Sequence, residues 1–223
     1  MSGADLARRA VTQAKRFGAE IITTLEAVAL KREDPYRRVI LSDGSELSGY
    51  AILIAPGMEV RRLEADGLDA FAGAGVFYGA ALSEAATYRG QDVLIVGGAN
   101  SAGQGAMFFS RHARKVTMLV RGARLSDAMS QYLADRIAET PNVEVRVNAS
   151  VVGARGDGRL EAVTVADTVT GERRELAVSA MFIFIGTAPR TQLCGDLVQR
   201  DAHGFVLTGR DMMADGRRPP GWT

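Results

Sequence analysis

Residues 92–121 constrain this chain more than any other stretch. Residues 93–96 (Val-Leu-Ile-Val) form a short apolar run that stops at Gly97-Gly98. Residues 101–113 then take helical spacing, with Ala102, Ala106, Phe109 and Ala113 on one face. A second apolar run at 116–120 completes a strand–turn–helix–strand unit of the size of a βαβ crossover. The turn carries the Gly-x-Gly-x-x-Gly/Ala dinucleotide fingerprint in the form Gly97-x-Ala99-x-x-Ala102. Gly97 permits a tight turn, Ala102 lets helix and strand pack closely, and the first N–H groups of the helix face outward, where a pyrophosphate would sit. Ala99 departs from the pattern, because it adds a methyl group where the second glycine normally lets backbone approach phosphate. A plain βαβ turn without ligand is the alternative reading of the same residues.

The rest of the composition narrows the class. Of 223 residues, 47% are apolar and 24% charged, values of an ordinary globular protein of one large or two modest domains. The net charge of +1, with basic residues dispersed among acids, gives no reason to expect nucleic acid or an anionic membrane as partner. No apolar stretch is long enough to span a bilayer and no signal-peptide pattern opens the chain, so a cytoplasmic location is expected. The single Cys194 excludes an internal disulfide and any Cys-x-x-Cys pair. His112 and His203 lack ligand-spaced partners, and no metal is expected.

Taken in order, residues 4–17 read as an amphipathic helix with Leu6, Ala10, Ala14 and Phe17 on one face. Residues 20–23 and 25–30 read as short strands. Residues 36–41 and 46–54 read as a hairpin around Ser42-Asp43-Gly44-Ser45. This opening stretch is either a small complete domain or, as its uncovered apolar side favours, the middle of a larger one. Residues 58–75 lack a steady period and read as a surface linker, and 79–88 as an alanine-rich helix. Ser126 is a candidate N-cap for a helix over 127–139, and 143–147 is a third strand. Residues 150–155, 159–167 and 173–178 alternate as an antiparallel meander with one wet face. Residues 180–185 are continuously apolar, as a central parallel strand requires. Beyond 191 structure is thin, with one expected strand at 205–208.

Motifs and order together resemble the thioredoxin reductase family of FAD- and NADPH-dependent pyridine nucleotide–disulfide oxidoreductases. Gly-Gly-Ala-Asn-Ser-Ala (97–102) looks like that family's Gly-Gly-Gly-Asn-Ser/Thr-Ala NADPH loop. Phe-Ile-Gly-Thr-Ala-Pro (184–189) is similar to its Phe-Ile-Gly-His-x-Pro segment, and Leu-Ile-Ala-Pro-Gly (53–57) to its Ile-Ile-Ala-Thr-Gly segment in the FAD domain. The meander sits where the family inserts one. The resemblance implies an α/β fold: a Rossmann-like parallel sheet with helices on one face, a three-stranded meander on the other, and partial FAD-domain segments. It divides the chain into a partial FAD-domain-like segment (1–75), an NADPH-binding domain (76–190) and the start of a returning FAD-domain segment (191–223). The family's opening FAD loop and its closing Ala-x-Gly-Asp segment have no counterpart here, so the chain reads as a fragment centred on the NADPH domain and inactive by itself. The family's Tyr-Cys-Ala-Thr-Cys aligns with Tyr78-Gly79-Ala80-Ala81-Leu82, so Gly79 and Leu82 stand at both cysteine positions and no thiolate exists there.

The resemblance implies hydride transfer from NADPH to FAD in the full-length protein, then onward to a small-molecule or redox-protein acceptor; a homodimer is compatible with it. The candidate binding residues are Gly97, Gly98, Ala99, Asn100, Ser101 and Ala102 at the pyrophosphate, Arg121 and Arg124 near the ribose phosphate, and Gly186 in the second motif. No catalytic side chain is assigned. An NAD-selective site usually carries an acid roughly 20 residues past the fingerprint. Here Val120-Arg121-Gly122-Ala123-Arg124 precedes the first acid, Asp127, which favours NADPH. Of the family's His-Arg-Arg-x-x-x-Arg run only Arg121 matches directly, and Gly122 and Ser126 replace the other arginines. The competing readings are two surface arginines without ligand, a non-catalytic nucleotide-binding module, and an NAD-linked dehydrogenase domain.

Overall fold

The computed structural model describes residues 3–79 and 82–213. They fall into two compact units, one of residues 1–59 with 188–223 and one of residues 60–187.

The first unit opens with α1 (Gly3–Arg16), which buries none of its residues. Of the apolar positions of the amphipathic pattern, Leu6, Ala10 and Phe17 are exposed and Ala14 is half-buried. Strands β1 (Ala27–Glu33), β2 (Tyr36–Leu41) and β3 (Glu46–Gly49) then form an antiparallel sheet in chain order. The β2–β3 turn is held by Asp43, whose carboxylate accepts from both the Ser45 N–H (2.9 Å) and the Ser45 hydroxyl (2.6 Å). Two expected strands are absent from this unit. Residues 19–23 carry no strand, and 51–57 run irregularly, with Leu53 94% exposed. An apolar triplet such as 52–54 becomes a strand only when a neighbour pairs its backbone, and none of the described residues does so. Strand β4 (Met58–Val60) follows.

The second unit contains β5 (Val76–Tyr78), α2 (Leu82–Thr87), β6 (Asp92–Val96), α3 (Asn100–Phe109), β7 (Lys115–Leu119), α4 (Gln131–Ala138), β8 (Val143–Arg146), the meander strands β9 (Ala149–Arg155), β10 (Ala162–Asp167) and β11 (Arg173–Ala177), and β12 (Ala180–Ile183). Strands β5, β12, β6, β7 and β8 lie side by side in that order, every pair parallel. Both faces of this sheet are covered, which is why its strands are apolar without alternation. Val93, Ile95, Val116, Met118, Ala180 and Phe182 face the helices, in a core with Ala102, Ala106 and Phe109 of α3 and Leu133 and Ile137 of α4. The alanines bring α3 close to the sheet, and the Phe109 ring stacks on Phe182 with centroids 4.0 Å apart. Leu94, Val96, Leu119, Met181 and Ile183 face the other way, against Val151, Val163 and Val165 of the meander.

Three sequence expectations change here. Residues 60–75 are no surface linker and belong with the second unit, not with an opening segment reaching 75. Leu68 and Phe71, in a 3-10 turn, are buried in the meander-side core, and Asp66 pairs through its backbone with Val152 and Ala154. A single 3-10 turn is too short to leave a period in the sequence. The helix expected from Ser126 starts at Gln131 with Ser130 as N-cap. Residues Leu125–Asp127 form a separate 3-10 turn, ended by Ala128 at φ −136°, so that Met129 can enter the core. The helix expected over 79–88 is α2, Leu82–Thr87, with Ala80 and Ala81 outside the described residues.

The chain ends in the first unit. Strand β13 (Thr187–Pro189) pairs with β4. Cys194 is buried, in a 3-10 segment, Gln192–Leu197, that is broken at Gly195 (φ 50°, ψ −131°). The strand expected at 205–208 is reduced to one antiparallel bridge, Arg200 with Val206.

Candidate functional site

The site is set by a reversal in the second unit. The chain passes from β6 through α3 to β7 on one side, and later returns as β12 on the other. Strand order therefore reverses at β6, and the crevice outside the carboxyl ends at such a point is where doubly wound sheets bind ligands. Three strand ends meet there around Gly97. Its N–H donates to the Leu119 carbonyl (3.0 Å), and Phe184, just past β12, donates to the Val96 carbonyl (2.7 Å). Gly97 has φ 142°, and a Cβ on it would lie 2.3 Å from the Phe184 carbonyl oxygen. A Cβ on Gly98 would lie 2.8 Å from Val120 Cγ1. Packing of the strand ends alone requires both glycines.

Ala99 is the N-cap of α3, extended at φ −95° and ψ 178°, and its methyl offers no cap to the first turn. The first intrahelical bond from the loop side is Gly103 N–H to the Ala99 carbonyl. The N–H groups of Asn100, Ser101 and Ala102 have no acceptor within the helix, and the positive end of the helix dipole lies with them. Ala99, Asn100 and Ser101 are exposed, whereas Ala102 is fully buried against the sheet. No carboxylate occurs between 97 and 102. These residues fit a bound pyrophosphate: unshielded donors, no opposing charge, and no side chains at the two positions under the loop.

The two arginines differ. Arg121 follows β7 and is exposed, with no ion pair among the described residues. Its neighbours are pinned: Val120 N–H donates to the Arg146 carbonyl (2.9 Å), and the Gly122 carbonyl accepts from Asn148 N–H (3.0 Å). Arg124 lies further along the loop and is paired with Asp127 at 3.2 Å. Gly186 sits two residues beyond Phe184 at φ 89°, its carbonyl accepting from Arg61 N–H (3.2 Å). The structure thus gathers Gly97, Gly98, Ala102, the end of β7 before Arg121, and Phe184 into one crevice wall.

Sequence reading missed two contacts. Asn100 Oδ1 accepts from the Ser130 backbone N–H at 2.8 Å across 30 residues. Gly103 and Gly105 are also packing glycines: a Cβ on Gly103 would meet Leu133 Cδ2 and Met129 Cε, and one on Gly105 the Phe184 ring. The two glycines lie on different flanks of α3, one toward α4 and the other toward Phe184, so no single helical spacing marks them. Two cavities lie away from this crevice. One of about 550 Å³ opens at the opposite, amino ends of the strands, lined by Tyr88, Asp92, Arg114, Arg159 and Ser179, with Arg114 and Asp92 in a bidentate pair at 2.8 Å. Another of about 400 Å³ lies beside β8, between Arg146 and Asp167. Among the described residues no three His, Cys, Asp or Glu side chains are grouped to hold a metal, and no helix is long and apolar enough to cross a membrane.

Comparison with known proteins decides the family. The sequence profile of the pyridine nucleotide-disulphide oxidoreductases matches residues 2–215. The chain belongs to that family. Within it, the thioredoxin reductase of Streptomyces clavuligerus is 33% identical over 204 residues, 92% of this chain and 62% of the relative. The bifunctional thioredoxin reductase/thioredoxin of Mycobacterium leprae is 33% identical over 93% of this chain and 44% of its own length. The chain therefore spans less than two thirds of these relatives. The crystal structure of Lactococcus lactis thioredoxin reductase superposes with a TM-score of 0.75 at 24% identity, over 96% of this chain and 70% of that one. The Rossmann-like α/β fold inferred from the motifs is the fold of these oxidoreductases, and NADPH with FAD is the cofactor pair of this flavoprotein family.

Proposed function

We propose that the second unit is the NADPH-binding part of a thioredoxin-reductase-like flavoprotein oxidoreductase, and that the first unit belongs to its FAD-binding part. The observation that carries this reading is the uncapped first turn of α3 at the strand reversal, with the unpaired Arg121 guanidinium at the end of the adjoining strand. With both cofactors bound in the whole protein, the chemistry would be hydride transfer from nicotinamide to flavin, which the cofactors themselves would supply. The residues of this chain bind and orient. The N–H groups of Asn100, Ser101 and Ala102 take the pyrophosphate, and Gly97 and Gly98 keep the loop low beneath it. Arg121 takes the 2′-phosphate through charge-assisted hydrogen bonds. Arg124 is a weaker candidate, since it must first leave Asp127. Gly186 closes the crevice from the β12 side.

The acceptor is a redox protein or small molecule reached without a dithiol in this chain. Gly79 and Leu82 stand at the family's cysteine positions, and Cys194 is single and buried. Substituting Cys194 by Ser is expected to leave NADPH-dependent reduction by the whole protein unchanged; loss of that activity would contradict the dithiol-independent route.

Calorimetric titration tests the cofactor reading. NADPH is expected to bind more tightly than NADH, and Arg121→Ala to weaken NADPH by about tenfold or more with little change for NADH, as loss of a charged hydrogen-bond partner implies. Equal affinities in the wild type, or an unaffected NADPH affinity in Arg121→Ala, would remove Arg121 from the site.

A further inference from the structure

We infer that Asn100 acts as a positioning residue that fixes the spacing between the two phosphate-binding arms of the site, and not through contact of its side chain with the nucleotide. This rests on the NADPH reading above. One arm is the first turn of α3; the other is the loop 121–130 that begins with Arg121. At its start the loop is tied to β8 and the residues after it, through the Val120–Arg146 and Gly122–Asn148 backbone bonds. Its middle is exposed except for Leu125, which packs on the helix-side core, and is held by the 3-10 turn Leu125–Asp127 and the Arg124–Asp127 pair. Its end returns to α3 by two attachments. Met129 is buried beside Gly103, so close that a Cβ on Gly103 would lie 2.7 Å from Met129 Cε. The Ser130 N–H donates to Asn100 Oδ1 at 2.8 Å.

That hydrogen bond is the polar link between the arms. It occupies the Asn100 side-chain oxygen while leaving the Asn100 backbone N–H, in the same first turn, free for phosphate. A ligand bearing both a pyrophosphate and a 2′-phosphate engages both arms, so holding them at a set separation before binding lowers the ordering cost of that ligand. NADH lacks the 2′-phosphate and gains little from the link. The Asn100 side chain therefore contributes to discrimination between the two nucleotides without touching either.

The backbone donor can be removed independently. Ser130 has φ −59°, a value proline adopts, so Ser130→Pro deletes the N–H without requiring a new φ; its ring Cδ stands where the hydrogen pointed at Asn100 Oδ1, so the substitution is free of a clash only beside Asn100→Ala. The test is a double-mutant cycle with Asn100→Ala, Ser130→Pro and the double variant, titrated with NADPH and with NADH. Asn100→Ala is expected to weaken NADPH by about fivefold, the loss of one neutral hydrogen bond, and NADH by less than twofold. Adding Ser130→Pro should produce no further loss. Amide hydrogen exchange supplies a second readout on Asn100→Ala alone: Ser130 should lose protection while the amides of β6 and β7 keep theirs. Additive losses in the cycle, equal weakening of both nucleotides, or an unchanged Ser130 amide would overturn the inference while leaving Arg121 in place. A wild type that binds neither nucleotide would overturn the NADPH reading and the inference with it.

Discussion

Glycines in this chain differ in what a methyl group would meet, and that difference sets the cost of replacing them. At Gly97 the obstacle is backbone: the Phe184 carbonyl oxygen 2.3 Å from a Cβ, at a φ of 142° that side chains avoid. Gly97→Ala is expected to cost roughly 3 kcal/mol in chemical denaturation, from strain and the displaced strand end together. At Gly103 the obstacles are the flexible ends of Met129 and Leu133, and alanine recovers about 1 kcal/mol of helix propensity. Gly103→Ala should therefore cost markedly less, in the range of about 0–2 kcal/mol. Equal losses at the two positions would show that Phe184 yields as readily as a methionine end. Gly97 was readable in the sequence because it opens a known fingerprint. Gly103 was not, since its meaning depends on Met129 and Leu133, far along the chain and brought near by the fold. The tie of the Asn100 side chain to Ser130 was not readable for the same reason: its partner is a backbone N–H, which no sequence pattern marks.

Helix α3 and strand β8 show two kinds of stabilisation. Phe109 on α3 is 1% exposed and stacks on Phe182, which in turn stacks on Phe77 at 5.3 Å. Phe109→Ala should cost about 3–5 kcal/mol, measured by the shift in denaturation midpoint at constant m. Strand β8 is an edge of the sheet and carries Glu144 between Arg146 (2.7 Å) and Lys115 (2.5 Å). Hydrogen bonds from Arg146 first, and then Lys115, hold the Glu144 carboxyl below its ordinary value of 4.5. A depressed carboxylate contributes stability that is present above the unfolded value and lost as pH falls through the folded one. The side chains are more than a third exposed, so the contribution is screened and at most about 1 kcal/mol. Glu144→Gln should lower stability slightly at pH 7, in a salt-sensitive way, and remove part of the decline below about pH 4.5; an unchanged acid limb would contradict this. The elements with a strong period, such as β6, α3, β7 and the meander, were readable from sequence. The 3-10 turn at Leu68–Phe71 and the start of α4 at Gln131 were not, because a short turn has no period and a buried Met129 overrides a plausible N-cap at Ser126.

The two units differ in how much apolar surface they remove from water. Both large buried clusters lie within residues 60–187. In the described part of the first unit only Leu41 and Cys194 are buried apolar residues, and Leu6, Ile22, Leu53 and Phe205 are exposed. Backbone protection follows burial and contact density. Amides of β6, β7 and β12 should exchange only through global opening, and those of β1–β3 through easier local opening; equal protection in both would contradict this ledger of burial. The sequence anticipated the contrast, since the opening helix and hairpin showed an apolar side without a partner, whereas residues 92–120 specified a strand, a helix and a second strand that cover one another. On the proposed reading the nucleotide lies at the carboxyl ends of the strands and not in the cavity of about 550 Å³ at their amino ends. In an NMR titration of the isotopically labelled chain with NADPH, the amide shifts are expected to concentrate at 97–102, 120–122 and 184–186, with residues 88–92, 114 and 159–161 unmoved. Shifts centred on Tyr88, Arg114 and Arg159, or none at saturating NADPH, would contradict it.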